Sequence, residues 1–553
     1  MTRRTTRRKP APRQERKGPQ ARGRRQPTAV PDPLQLLFLE AVRAHKSGNL
    51  EEAQKRCLEI LSRDVRHADA LHMLGLVLYA EGRPETAAGM MRRAIAINDR
   101  ESAYYSNLGN ALHAMGKLDE ALDAYNGAIE LKPGFADAHY NLANTLRDMN
   151  RLDQSIVAYK CALQLKPEYA EAHCNLGGVL RNRGRLEEAE KHLREGMRLR
   201  PDYADATNNL AITLQDQGRL DEALECFERA VELMPENYDV RYNKAMAHLL
   251  AADFDNGWHE QEARWKIKNA PRMMEKPQWM GEPLHGQRLL LHHECGFGDT
   301  IQFLRYVPMA AKRGATVIVD VPQNLIRLAR LIPGVAAVSV TGGPLPEFDL
   351  HCPMLSLPLA FHTDLNSIPG DTPYLSIPSE AKEKAATLDW PTHGLRVGLV
   401  WTGNPAFSRD QFRSIPLEQL SSLFSVEGVH FYSLQIGPGS SQWEAYRSHV
   451  ADLTPHIKDM ADTAALLTQL DLLISVDTSV AHLAGALAVP VWTLIPAAPD
   501  WRWLTERKDT PWYPSMRLFR QQKLAEWGPV VERIRLSLAA SQRRAEEMMA
   551  QAS

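Results

Sequence analysis

Apolar and polar positions between residues 33 and 268 follow a helical spacing that repeats every 34 residues, as Asn107, Asn141, Asn175, Asn209 and Asn243 show. Leu108, Leu142, Leu176 and Leu210 follow four of these asparagines and supply a core side. In the same period Ala53, Ala87, Ala121, Ser155, Ala189 and Ala223 place small residues where paired helices must approach closely. Gly48, Gly82, Gly116, Gly184 and Gly218, with Asn150 in the remaining slot, stand where two helices need a tight left-handed turn, a conformation that Gly and Asn adopt cheaply. Pro133, Pro167, Pro201 and Pro235 close the second helix of each pair. The pattern predicts six helical hairpins from about Pro33 to Pro235 and a partial seventh through Trp258 and Trp265.

The helical period stops near Trp279. Strand-like runs then alternate with helices: Arg288–His293, Thr316–Val321, Leu395–Trp401, Val429–Leu434, Leu472–Val476 and Val491–Leu494. Such alternation implies parallel sheets. The predicted class is therefore α plus α/β, with two Rossmann-like lobes around a cleft. The boundaries read as a basic tail over 1–32, helical repeats over 33–268 and a linker over 269–285. A first lobe over 286–392, a second over 393–540 and a tail over 541–553 follow.

Composition sharpens this picture at the N-terminus. The 553 residues are 44% hydrophobic and 24% charged, values of ordinary globular chains, which excludes a wholly disordered, collagen-like or multi-spanning membrane protein. The net charge of -1 hides eleven Lys or Arg against Glu15 within residues 1–25. With Pro10, Pro12, Pro19 and, just beyond, Pro27, and with few apolar residues, the tail cannot bury enough surface to fold. It lacks interleaved aromatics, so nucleic acid is a poor candidate partner, and no apolar segment of a secretory signal follows it. Cys57, Cys161, Cys174, Cys226, Cys295 and Cys352 are scattered without zinc spacing, as suits a reducing cytosol. The apolar stretch Val480–Ala498 is divided by His482, Pro490 and Pro496, so a soluble, cytoplasmic protein without stable membrane insertion is expected.

Candidate chemistry lies in the second half. Gly296 and Gly298 follow the first strand and precede a helix expected near Thr300; they are not a full dinucleotide fingerprint and instead let a substrate approach the backbone. Asp299 is either the cap of that helix or an acid facing the cleft. Asp477 ends a buried strand, and Thr478 and Ser479 open an Ala-rich helix whose free amides suit an anion. His482 lies one turn further on, as a packed helix histidine or as a phosphate or ribose contact. Asn404, Arg409, Asp410 and Arg413 occupy a loop past a strand's carboxyl end, where ligands of open sheets bind. Trp501, Trp503, Trp512 and Tyr513 read as packing between lobes, with base stacking as the alternative. Asp253-Phe254-Asp255 spells a metal string but falls in a repeat turn, so capping is expected and no metal.

The 34-residue length is that of tetratricopeptide repeats, whose concave face binds a partner. The phrases AHYNLANTL and ATNNLAIT resemble the repeats of O-GlcNAc transferases, which implies that Asn107, Asn141, Asn175, Asn209 and Asn243 form a ladder holding an acceptor peptide. The combination of GFGDTIQFLRY, VWTGNP with RSIPL, SVDTSVAHLAGAL, PDWRW and WYPSMRLFRQ resembles bacterial tetratricopeptide glycosyltransferases, whose catalytic half is related to heptosyltransferases. That resemblance implies a GT-B fold and inverting, metal-independent transfer from a nucleotide sugar to Ser or Thr of a protein, with flagellin as a natural comparison. Asp299 would be the base, and Gly298, Asn404, Arg413, Asp477, Thr478, Ser479 and His482 would hold the donor. Phe407, Arg409 and Gln411 depart from the related pattern NPxHxNDRxRSI, which bears on donor identity. The alternatives are a noncatalytic adaptor with a degenerate transferase half, and transfer to a glycan or lipid-linked glycan.

Overall fold

The computed structural model describes residues 32–267, 274–407 and 409–552, so most of the basic tail and part of the expected linker lie outside the described residues. The chain divides into two compact units, Met1–Gly134 and Phe135–Ser553.

The first unit consists of antiparallel hairpins: Pro33–Lys46 with Leu50–Arg63, Ala68–Ala80 with Pro84–Ile97, and Ser102–Ala114 with Leu118–Leu131. Asp32 and Asn49 cap two of these helices through side-chain oxygens that accept from Leu34 and Glu52 amides. Gly48, Gly82 and Gly116 turn between paired helices at φ +72° to +77°. A Cβ on any of the three would meet nothing within 4 Å, so backbone conformation rather than crowding selects glycine. Gly109 answers to the opposite cause: a Cβ there would stand 2.5 Å from the Tyr125 ring. Ala53, Ala87 and Ala121 are fully buried.

The second unit continues with Ala136–Asp148 and Leu152–Leu165, Ala170–Asn182 and Leu186–Leu199, and Ala204–Asp216 and Leu220–Leu233. A shorter pair, Tyr238–Leu250 and Phe254–Gln261, is the partial seventh hairpin. Asn150 takes the turn position at φ +58°, and Ser155, Ala189 and Ala223 are fully buried at the helix contacts. Leu176 and Leu210 are core residues, whereas Leu142 is only half-buried. Asp253 caps the last helix and bonds His248, which assigns the acidic string to helix capping. The Trp258 indole donates to the Thr363 carbonyl at 2.8 Å, and Phe254 and Trp258 share one core with the sheets that follow.

Two all-parallel sheets follow. The first contains β1 (Arg288–His292), β2 (Thr316–Val321), β3 (Val335–Val340) and β4 (Leu350–Pro353) in the order β3-β2-β1-β4. The second contains β5 (Leu395–Val400), β6 (Val429–Ser433), β7 (Val450–Asp452), β8 (Leu472–Val476), β9 (Val491–Ile495) and β10 (Met516–Arg520) in the order β10-β9-β8-β5-β6-β7. In both sheets the chain runs outward from a central strand and then returns to that strand's other side. The switch points are β1/β4 and β5/β8, and crevices at the carboxyl ends of such strands are where open α/β sheets bind ligands.

The structure corrects three sequence-based expectations. The helix expected near Thr300 begins at Phe297, because Gly296 takes the cap position. Residues 274–285, read as linker, include Trp279 and Leu284, both buried; the Trp279 amide bonds the His351 carbonyl beside β4. Residues 541–552, read as a tail, continue the Gly528–Ala552 helix. Among the described residues no helix is long and apolar enough to cross a membrane.

Candidate functional site

The site is built from three loops that leave β1, β5 and β8. After β1, the Gly296 amide donates to the Asp299 carboxylate at 2.8 Å, which closes the first turn of the Phe297–Phe303 helix. After β8, Asp477 leads into the Ser479–Ala486 helix, with Thr478 at the cap position and no side-chain bond to the first amides. These two helices pack together. A Cβ on Gly298 would stand 2.9 Å from Cδ2 of His482, so glycine is what permits the close approach.

After β5, Arg413 donates from Nε to Asp410 at 2.9 Å and from Nη1 to the Asp477 carbonyl at 3.0 Å. That fixes a guanidinium beside the entrance to the Ser479 helix, where cation and unbonded amides favour the same kind of anion. Gly403 makes room for the arrangement, since a Cβ there would lie 2.4 Å from the Asp410 carboxylate and 2.6 Å from the Arg413 guanidinium. Phe407 stacks over Arg413 with its ring centre 4.6 Å away. Asn404 is exposed and its side chain accepts from the Ala406 amide at 3.0 Å, so it shapes its own loop.

Arg502 joins the two sheets. It ion-pairs with Asp299, donates to Asp500 at 2.8 Å and reaches the Gln302 side chain at 2.6 Å. These carboxylates hold the Arg502 charge above its ordinary value despite burial. Burial, then Asp500, pushes Asp477 up to about 6. Burial and the neighbouring arginines, Arg502 first, press His482 well below the usual histidine range. His482 Nε2 and Asp477 approach to 3.8 Å, but with one group favouring its acid form and the other its neutral form, the contact is not an ion pair. The other ring nitrogen shares a hydrogen with the Tyr513 hydroxyl at 2.9 Å. Trp501, Trp503, Trp512 and Tyr513 are all buried, which makes them packing groups around the site.

Gly298, Asp299, Arg413, Asp477, Thr478, Ser479 and His482 are thus gathered at one junction. Arg502, Gln302, Gly403 and Asp500 were not singled out from sequence. The apolar-aromatic setting of PDWRW marks a buried segment, but besides Asp500 its arginine's partners, Asp299 and Gln302, come from a helix two hundred residues earlier.

The asparagine register has a second feature that sequence reading missed. Each of several asparagines bonds the residue 35 positions earlier, on the preceding repeat. Asn175 Nδ2 donates to the Tyr140 hydroxyl and the Asn144 carbonyl oxygen, both at 3.0 Å. Asn209 reaches Cys174 Sγ at 3.7 Å and Asn243 reaches Asn208 at 3.4 Å. Asn107 in the first unit pairs with His72 Nε2 at 2.9 Å. Asn141 keeps the register, and its main-chain carbonyl accepts from Thr145. The side chains therefore splice neighbouring repeats as well as lining them.

Residues 38–106, 109–146, 143–180, 168–236 and 208–266 match tetratricopeptide-repeat profiles. The helical half is an array of tetratricopeptide repeats. Protein FlbA of Caulobacter vibrioides is similar, 25% identical over 331 residues that cover 54% of this chain and 54% of that protein. The chain thus spans about half the length of the curated relative it matches. Among solved structures, PilF of Pseudomonas aeruginosa is 19% identical, with a TM-score of 0.36, covering 38% of this chain and 96% of that one. The thermophilic tetratricopeptide protein TTC0263 of Thermus thermophilus is 26% identical, with a TM-score of 0.28, covering 33% and 99%.

Proposed function

We propose that the chain is a glycosyltransferase of GT-B type that moves a sugar from a nucleotide diphosphate to a Ser or Thr hydroxyl of a protein held by the repeats. The observation that carries this reading is the junction itself: Asp299 on the first sheet's loop and the uncapped Ser479 helix on the second meet beside Arg413. A carboxylate and an anion-stabilising pole at one crevice are what displacement at an anomeric carbon requires. The repeats support a protein-binding role.

In this reading Asp299 accepts the proton of the acceptor hydroxyl as it attacks the anomeric carbon, and the bond to the departing diphosphate breaks. The Ser479 amides and Arg413 take up the charge that develops on the leaving group. Arg502 orients Asp299 through their ion pair. The neutral His482 donates or accepts one hydrogen bond without adding charge next to the diphosphate.

A thermal-shift panel of UDP, GDP, ADP and CMP sugars, followed by intact-mass analysis of candidate clients, flagellin included, tests the proposal. A nucleotide-dependent rise in melting temperature and a client mass gain of one sugar are expected. No response to any nucleotide rejects it in favour of an adaptor.

A further inference from the structure

Arg181, near the end of the Ala170–Asn182 helix, has no ion-paired carboxylate among the described residues. Arg183, Arg185 and Arg219 occupy neighbouring turns, and each is paired with its own acid: Asp153, Glu188, and Glu190 with Glu222. Arg147 pairs with Asp148. One period later the same two positions read Arg181 and Asn182, so the acid has been replaced by an amide. A further period on, they read Gln215 and Asp216, and that acid is taken by Arg409 from the loop after β5, at 2.7 Å. Asp216 is almost fully buried, with a side-chain exposure of 6%.

Asp216 is ion-paired with Arg409 and reaches Arg181 only through its charge. Among the described residues Arg181 Nη1 and Arg409 Nη2 have no hydrogen-bond partner, although both atoms are removed from solvent. A buried N–H without an acceptor is unfavourable, so the arrangement is incomplete as it stands. Burial works against the Arg181 charge, Asp216 supports it and Arg409 opposes it. A further carboxylate would satisfy both donors and leave the cluster neutral.

The position narrows the source of that carboxylate. Arg181 and Asp216 lie near the ends of the two helices that carry Asn175 and Asn209. Six residues along a helix separate Asn175 from Arg181, about 9 Å, which an extended peptide covers in about three residues. Gln411 bonds the Asn182 carbonyl at 2.7 Å, and Phe412 packs against Gly184, so the loop is seated on this edge. Arg413 of the same loop turns the other way, to Asp477.

We propose that Arg181 and Arg409 form a carboxylate-binding subsite for an acidic side chain of the acceptor, a short distance from the residue to be modified. The inference rests on the protein-acceptor reading above. It makes the recognition of clients partly sequence-dependent, since the asparagine register alone contacts any backbone alike.

The test uses the full chain and labelled serine peptides in which a single Glu or Gln is moved along the sequence, read by fluorescence anisotropy. One Glu position should bind about tenfold tighter than its Gln counterpart, a difference of about 1.4 kcal/mol. Arg181→Gln should erase that preference and leave UDP affinity unchanged, Arg181→Lys should keep part of it, and Asp216→Asn should strengthen it. Equal binding of Glu and Gln peptides at every position overturns the subsite alone, as does a preference that survives in Arg181→Gln. Loss of UDP affinity in that variant overturns it too, by giving the anion to the nucleotide. A chain that binds none of the peptides overturns the protein-acceptor reading along with it.

Discussion

Arg502 and Arg181 are both buried guanidinium groups in the second unit, and their surroundings differ in one respect. Arg502 is oversupplied with anions: Asp299, Asp500 and, at longer range, Asp477. Arg181 feels the charge of the single Asp216, whose ion pair goes to Arg409. A saturated arginine acts as a structural and orienting group, because its charge is balanced before any ligand arrives. An undersupplied one is poised for an anion from outside. The same residue type thus has opposite meanings, and the difference is visible only once the neighbours are assembled in space.

Removing the saturated arginine should have the largest effect. Arg502→Met leaves three carboxylates facing one another in a nearly closed junction, and a loss of about 3–5 kcal/mol is expected in denaturant melts. A smaller loss, below about 1 kcal/mol, would mean that solvent reaches those acids and that the junction is open. Next comes Asp299→Ala, which should reduce sugar transfer by about 10² to 10⁴ while nucleotide-induced thermal shifts persist. Full transfer by this variant removes Asp299 from the chemistry and leaves it as a helix cap.

On the undersupplied side, Arg181→Gln should leave the melting temperature at or slightly above that of the parent, because the variant discards an unsatisfied buried donor. A marked fall would show that Arg181 is already fully used within the fold. A change in the first unit serves as the reference: Gly82→Ala, at φ +75° with open space around it, should cost about 1 kcal/mol through backbone strain and leave UDP affinity untouched.

A separate expected effect concerns pH. Burial, aided by His351, lowers His292 to about 4, below the 6.5 of an unfolded histidine. The unfolded chain then binds more protons between these values, so stability present above pH 6.5 is lost as the pH falls toward 4. Urea melts at about pH 7.5 and about pH 5 should show the decline, and His292→Asn should flatten it.

The repeats were legible because one period constrains every position: a slip at Gly82 or Ala87 would be visible against its copies. Leu142 keeps the period of its copies yet is only half-buried, a difference that the period alone does not carry. Strands β2 and β8 stood out because apolar residues dominate them, Val317–Val319 in one and Leu472–Ile474 in the other. β3 escaped notice because most of its residues are half-buried or exposed on an edge; β4 and β7 are too short to carry a period. β10 alternates with the arginines Arg517 and Arg520 and reads as a polar loop. Of the junction, the residues at strand ends could be found because loops past β1, β5 and β8 follow from topology. Arg502 could not, since its role depends on contacts with Gln302 and Asp299, far away in sequence.

Arg409, Asp410 and Arg413 lie within one short turn whose near end is tied to Asp216 and whose far end grips the Asp477 carbonyl. Such a turn works as a stiff yoke: a guest that draws Arg409 away from Asp216 also tilts the guanidinium that borders the Ser479 helix. Under the proposed function, an acceptor bound at one end of the turn would then be felt at the donor end, with no moving lid required.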